Sequence, residues 1–187
     1  PEYISTRKNN RSVGVLWAAS ILPWKRLDVF VQAFKELILL RDHSSSSCFG
    51  SVCFIAPKGS DVLLPDDNIR NFTFHQDPEN LDEIRSTSSI FVSTSIREPF
   101  GLSILESMVA GLAIIIPKDG AYWDKKLTHG LNCMKFDPNN AQSLCCILNS
   151  LVHDKCLRDK ISNNGQKFAQ RYTDGECYSR ILKSIIK

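Results

Sequence analysis

Two glutamates and a lysine carry the chemistry this sequence offers. Glu98 and Glu106 bracket seven residues in the stretch Glu98-Pro99-Phe100-Gly101-Leu102-Ser103-Ile104-Leu105-Glu106. Carboxylates accept paired hydroxyl hydrogen bonds, which suits a sugar ring or a ribose diol. The Pro-Phe-Gly corner reads as a turn from a strand into a helix. A helix N-terminus offers unpaired N–H groups and a partial positive charge, so it attracts phosphate. Gly101 lets the backbone approach a ligand closely. Lys25, at the start of the first expected helix, can bring a positive charge to a diphosphate. Singly, each has a plainer explanation: Glu98 as dipole compensation, Glu106 as a solvated acid, Lys25 as an exposed lysine. Together they describe a pocket for a sugar carried on a nucleoside diphosphate.

The elements that must position these residues follow from the hydrophobic pattern. Short unbroken apolar runs predict strands at Ser12–Ala18, Val52–Ala56, Phe72–Phe74, Ile90–Val92, Leu112–Ile116 and Cys133–Phe136. Strands buried on both faces read in this way. Helical periodicity predicts helices at Lys25–Asp42, Pro78–Thr87, Gly101–Ala110, Tyr122–Leu127, after Asp137-Pro138-Asn139-Asn140, and over Lys155–Tyr172. Thr173-Asp174-Gly175-Glu176 fits a capping box for a last helix. Alternating strands and helices predict an α/β fold: a doubly wound parallel sheet with helices on both faces. Ligands bind such sheets beyond the carboxyl ends of the strands. One rim should therefore gather Ser20–Lys25, Pro57–Gly59, His75 and Gln76, Ser93–Gly101 and Pro117–Ala121.

Composition narrows the function classes. The net charge is +3 over 187 residues with a pI near 8.5, which suits a small anionic ligand and gives no basic block for nucleic acid. The seven cysteines are an odd number with no C-x-x-C pair, and several lie in apolar runs, so buried free thiols in a reducing, cytoplasmic compartment are expected. The sequon at Asn71 is then expected to be idle. His43, His75, His129 and His153 are scattered, and no metal site is expected. Dinucleotide, P-loop, nucleophile-elbow and zincin motifs are missing. No apolar run is long enough to span a membrane. The first residue is Pro, so a processed chain or a piece of a longer one is expected.

The Glu98-to-Glu106 element, with Ala110-Gly111-Leu112 behind it, resembles the C-terminal, donor-binding half of a GT-B retaining glycosyltransferase of the family 4, or group 1, type. The resemblance runs over nearly the whole chain. Leu22-Pro23-Trp24-Lys25-Arg26 resembles the start of that family's first helix, with Lys25 at its phosphate-binding lysine. Gly120-Ala121-Tyr122-Trp123-Asp124 resembles its Gly-Gly-x-x-Glu turn, with Asp124 in place of Glu. Where the family has Gly-Arg before the lysine, this chain has Ala19-Ser20, which removes one cation. Phe74 and Cys133 each stand where the family has a glycine.

The resemblance implies a Rossmann-like half of a GT-B fold and a hexosyltransferase-type activity in the full-length protein. Glu98 would hold donor-sugar hydroxyls, and Lys25 would neutralise the diphosphate leaving group. Glu106 would grip the ribose, and Phe100, Gly101 and Leu102 would hold the sugar and diphosphate. Ser20, Arg26, Gly120, His75 and Gln76 complete the implied donor site, the last two near the base. No cofactor or metal is implied. The implied partners are a nucleotide-sugar donor, an N-terminal acceptor domain missing from this chain, and a glycan, lipid or small acceptor. The implied place of the full-length protein is the cytoplasm or the cytoplasmic membrane surface. On this reading residues 1–187 form a single nucleotide-sugar-binding domain: linker 1–11, sheet core 12–136 and C-terminal helices 137–187. The alternative is a degenerate transferase-like scaffold that binds no donor.

Overall fold

The structure is a computed structural model that describes residues 12–41, 48–56 and 69–172. The expected linker, the Pro57–Gly59 part of the expected rim and the capping box with its last helix lie outside the described residues. Six strands form one sheet: β1 (Val13–Ser20), β2 (Cys48–Ile55), β3 (Phe72–Gln76), β4 (Ile90–Val92), β5 (Ala113–Pro117) and β6 (Met134–Phe136). Their order is β3-β2-β1-β4-β5-β6, and every pairing is parallel. The order reverses between β1 and β4, so the sheet has a topological switch point there. This is the doubly wound α/β architecture expected from the sequence.

Alternation along the strands explains why both faces are apolar. Val13, Val15 and Trp17 of β1 point into one core, while Leu16 and Ala18 point into the other. On β5, Ala113 and Ile115 join the first core, and Ile114 and Ile116 the second. The first core is closed by α1 (Leu27–Arg41) and α5 (Ala141–His153). Phe30, Phe34 and Leu37 supply the buried stripe of α1. The second core is covered by α2 (Leu81–Thr87), α3 (Leu102–Val109), α4 (Tyr122–Lys126) and the C-terminal end of α6 (Lys155–Ala169). Asn140 caps α5 by accepting from the Ser143 N–H at 2.9 Å, and Asp154 caps α6 by accepting from the Leu157 N–H at 2.8 Å.

Several boundaries differ from the sequence reading. β2 begins at Cys48, four residues before the expected start, because it pairs with β1 along its whole length. The first helix does not begin at Lys25. Pro23–Lys25 forms a single 3-10 turn, Arg26 is left-handed (φ 51°), and α1 starts at Leu27. Pro fits the first turn of a helix but does not propagate one across a left-handed residue. Ser20, expected in the rim loop, is the last residue of β1. His75 and Gln76, expected beyond the third strand, lie within β3 opposite Cys53 and Phe54. Pairing with β2 extends that strand past its apolar core.

The edge of the sheet near β3 is held by aromatic packing. Phe72 lies 5.0 Å from Phe34, 5.8 Å from Phe30 and 5.1 Å from Phe74 between ring centroids. Gly50 admits these rings. A Cβ there would fall 2.8 Å from Phe72 Cε2 and 3.0 Å from Phe34 Cζ, and the Phe34 ring is fully buried. Gly50→Ala is expected to lower stability by about 1–3 kcal/mol, read as a shifted urea midpoint with an unchanged slope.

Cys53, Cys133, Cys145, Cys146 and Cys156 are free thiols. Burial pushes the Cys53 and Cys145 thiols up to about 11 and Cys133 to about 12. All three stay protonated and unreactive at neutral pH. Cys146 and Cys156 are exposed. Brief alkylation of the native protein followed by peptide mapping should find Cys146 and Cys156 modified and Cys53, Cys133 and Cys145 protected. Equal labelling of all five would contradict the packing described.

Candidate functional site

The rim at the carboxyl ends of β1, β4 and β5 is assembled around one hydroxyl. Thr94, buried just after β4, accepts from the Trp17 indole N–H at 2.9 Å and donates to the Lys25 carbonyl at 2.7 Å. The Ile96 N–H donates to the Trp24 carbonyl at 2.8 Å. The loop after β1 is thereby locked to the loop after β4. Neither Thr94 nor Trp17 was singled out by the sequence, since Ser and Thr in a loop carry no distinguishing pattern.

This lock places Lys25 against Glu98. Their side chains form an ion pair, each only 14% exposed. The Lys25 ammonium also lies 3.9 Å from the centre of the Trp24 ring, a cation–π contact. The two residues of greatest chemical interest, 73 positions apart in the chain, thus meet at the expected rim. Each has a left-handed neighbour, Arg26 (φ 51°) after Lys25 and Arg97 (φ 52°) before Glu98. Both conformations are tied down. Arg26 is forked onto Asp28 and also reaches Asn139. The Arg97 N–H donates to Asp119 Oδ2 at 2.6 Å. Arg26 therefore has its own partners and does not join Lys25.

Gly101 caps α3 in the left-handed region (φ 70°), and a Cβ there would strike Glu98 Cγ at 2.8 Å. Only glycine permits the close fold of Glu98 over the start of α3. Leu102, the first residue of α3, is exposed at the same rim. Phe100 points inward, with ring centroids 5.1 Å from Tyr122, 5.3 Å from Trp123 and 6.2 Å from Tyr172. Its observed place is a supporting one, anchoring the corner. Glu106 is half-exposed and does not share Glu98's partner. It accepts from Arg85 Nη2 of α2 at 2.8 Å. Arg85 escaped the sequence reading because a lone arginine in a short polar helix looks like a solvated face.

The third loop of the rim follows β5. Asp119 accepts from the N–H groups of Arg97 and Ala121, so it bridges this loop to the Glu98 loop. Gly120 is left-handed (φ 75°) and exposed. Its N–H donates to Asp124 Oδ2 at 2.7 Å, so that amide already has a partner. Asp124 is also paired with Lys135 at 2.7 Å. A small cleft lies between these loops, lined by Ser93, Ser95, Glu98, Asp119 and Trp123 among others. The Trp123 indole N–H is buried without a hydrogen-bond partner among the described residues. His75 and Gln76 share the same sheet edge but make none of these contacts. Among the described residues no group of His, Cys, Asp and Glu is arranged to hold a metal, and no helix is long and apolar enough to cross a membrane.

Burial works against the charged form of Asp124. The Lys135 ammonium and the Gly120 N–H outweigh it and hold the carboxyl below its ordinary pKa. A depressed pKa contributes stability above the unfolded value, near 3.9, and that contribution is lost as pH falls through the folded value. Asp124→Asn is therefore expected to cost about 1–3 kcal/mol at pH 7. The gap between the two proteins should close as pH falls below about 4 in denaturant titrations. A gap that persists into acid would assign the loss to packing.

Known proteins share both the pattern and the fold. The sequence model of the family described as glycosyl transferases group 1 matches residues 64–168, more than half of the chain. Sucrose-phosphate synthase 1 of Arabidopsis thaliana is 28% identical over 196 residues, which cover 95% of this chain and 18% of that protein. A probable sucrose-phosphate synthase of Beta vulgaris is 34% identical over 110 residues, or 58% of this chain and 10% of that one. The chain thus spans under a fifth of the length of these curated relatives. Among solved structures, Anabaena HepE in complex with UDP and glucose superposes with a TM-score of 0.77 at 19% identity, covering 94% of this chain and 48% of that one. The C-terminal domain of the Francisella tularensis group 1 protein LpcC gives a TM-score of 0.69 at 23% identity, covering 87% of each. These likenesses establish the fold, and the match of the family's sequence pattern over most of the described rim establishes more: the chain belongs to the glycosyl transferases group 1 family.

Proposed function

We propose that this chain is the donor-binding domain of a retaining glycosyltransferase and holds a nucleoside-diphosphate sugar at the rim between β1, β4 and β5. The observation that carries this reading is the meeting of Lys25, Glu98 and the start of α3 at one point of that rim. The lysine supplies the charge a diphosphate leaving group needs, and the first N–H groups of α3 add to it. Glu98, released from Lys25, accepts hydroxyls of the donor sugar. Glu106, about one turn along α3, accepts the ribose diol. The UDP and glucose held by Anabaena HepE, a protein of like fold, support a uridine nucleotide as the first ligand to test. No metal is required in this scheme, because lysine and helix supply the positive charge. The acceptor and the rest of the catalytic cleft come from an N-terminal domain of the parent protein. The parent enzyme transfers a sugar to a glycan, lipid or small acceptor, and works in the cytoplasm or on its membrane surface. The unbonded thiols support a reducing compartment.

A second reading has its own observations. Ser20 stands where a second cation is expected, Lys25 is already neutralised by Glu98, and the Gly120 amide is taken by Asp124. These favour a transferase-like scaffold that binds no donor.

Titration of the chain with UDP, GDP, ADP and CMP by calorimetry separates the two. The donor reading expects saturable binding of one diphosphate, weakened at least tenfold by Lys25→Ala, as loss of a charge-assisted contact requires. No binding of any of the four at millimolar concentration, by protein shown to be folded, would assign the scaffold role.

A further inference from the structure

We propose that Arg85 is the positioning residue for Glu106, fixing the carboxylate in the orientation in which it meets a ribose. The inference rests on the donor reading above and adds to it a residue from a different element.

The side chain of Arg85 is only 8% exposed, although it belongs to α2, a short helix with a mostly polar sequence. A buried guanidinium is costly unless it is paired. Arg85 has two carboxylate partners. Nη1 binds Asp82, one turn back on α2, and that carboxylate is 74% exposed. Nη2 binds Glu106 Oε2 at 2.8 Å, on α3 and 21 residues further along the chain. Nε is buried with no partner among the described residues. The fork is thus fixed at one end by its own helix and presents its other end to α3.

Glu106 shows the complementary pattern. Its side chain is 49% exposed. One oxygen is held by Arg85, and Oε1 has no described partner. A glutamate on an exposed helix face otherwise samples many rotamers, and ordering it costs binding free energy. The guanidinium, itself held by Asp82, fixes the position of the one carboxylate oxygen it binds. It leaves the free oxygen and the outer lone pairs to accept ribose hydroxyls. The plain structural alternative is that Arg85 only staples α2 to α3. The two differ in a measurable way, because a staple is blind to the 2′-hydroxyl.

The test is calorimetric titration with UDP against 2′-deoxy-UDP, and with ADP against 2′-deoxy-ADP. The wild-type chain should prefer the ribonucleotide by about tenfold, the worth of a hydroxyl hydrogen bond to a charged group. Arg85→Gln should reduce that preference to under about threefold while changing affinity for the 2′-deoxy form little. Arg85→Lys, which keeps the charge without the fork, should restore part of it. If Arg85→Gln weakens both nucleotides equally and the preference survives, Arg85 is a staple and the inference is overturned. Should Arg85→Gln fail to fold, Asp82→Asn frees the other end of the fork at an exposed position. It should lower the preference, and an unchanged preference again overturns the inference. Binding of neither nucleotide by the folded wild-type chain overturns the donor reading, and this inference with it.

Discussion

The site depends on one buried hydroxyl. Thr94 joins the Trp17 indole, which belongs to the core, to the Lys25 carbonyl, which belongs to the rim. Without that join, the loop after β1 would keep the bond from the Ile96 N–H to its Trp24 carbonyl but lose its tie to the core through Trp17. With it, Lys25 is held at the one place where Glu98 can reach it. Everything else at the rim adjusts to that placement. The two left-handed arginines, the Asp119 bridge and the bare Gly101 corner each accommodate a backbone bent to bring two distant loops together. Left-handed residues other than glycine cost on the order of 1–2 kcal/mol, and such positions persist where the surroundings over-determine them.

Much of the fold was legible because it rests on alternation that the sequence cannot hide. Strands buried on both faces must be continuous apolar runs, and β1, β4 and β5 are. The weaker elements were misjudged at their ends. β3 is partly exposed, and its last two residues are polar, so nothing in its own sequence shows that it continues through His75 and Gln76. Its extent is dictated by the partner strand. Lys25 and Arg26 are good helix formers, yet the first helix begins two residues after Lys25, at Leu27. The left-handed turn at Arg26 is set by Asp28 and Asn139, the second of which lies far along the chain.

The site was legible where it rests on residue type and local spacing, and illegible where it rests on pairing across the sheet. Glu98, Gly101 and Glu106 sit in one continuous segment and announce themselves. Thr94 and Arg85 act through partners 69 and 21 residues away, and both are of types abundant on any surface. Phe100 is legible in its position and not in its packing. It lies at the Glu98-to-Gly101 corner in the sequence, and its ring joins Tyr122, Trp123 and Tyr172 and supports the corner from within.

The Lys25–Glu98 pair has an electrostatic consequence. Seen from beyond a Debye length, about 8 Å at physiological salt, the pair is electrically neutral. An approaching anion is therefore not drawn in from afar by Lys25. It meets a dipole, and it gains the ammonium only by displacing the carboxylate. On the donor reading, what it gains is the difference between two pairings, and selection would rest on the shape of what replaces Glu98 more than on charge. A ligand that offers hydroxyls to the freed carboxylate and phosphate to the freed ammonium satisfies both partners at once. A bare phosphate leaves one of them stranded.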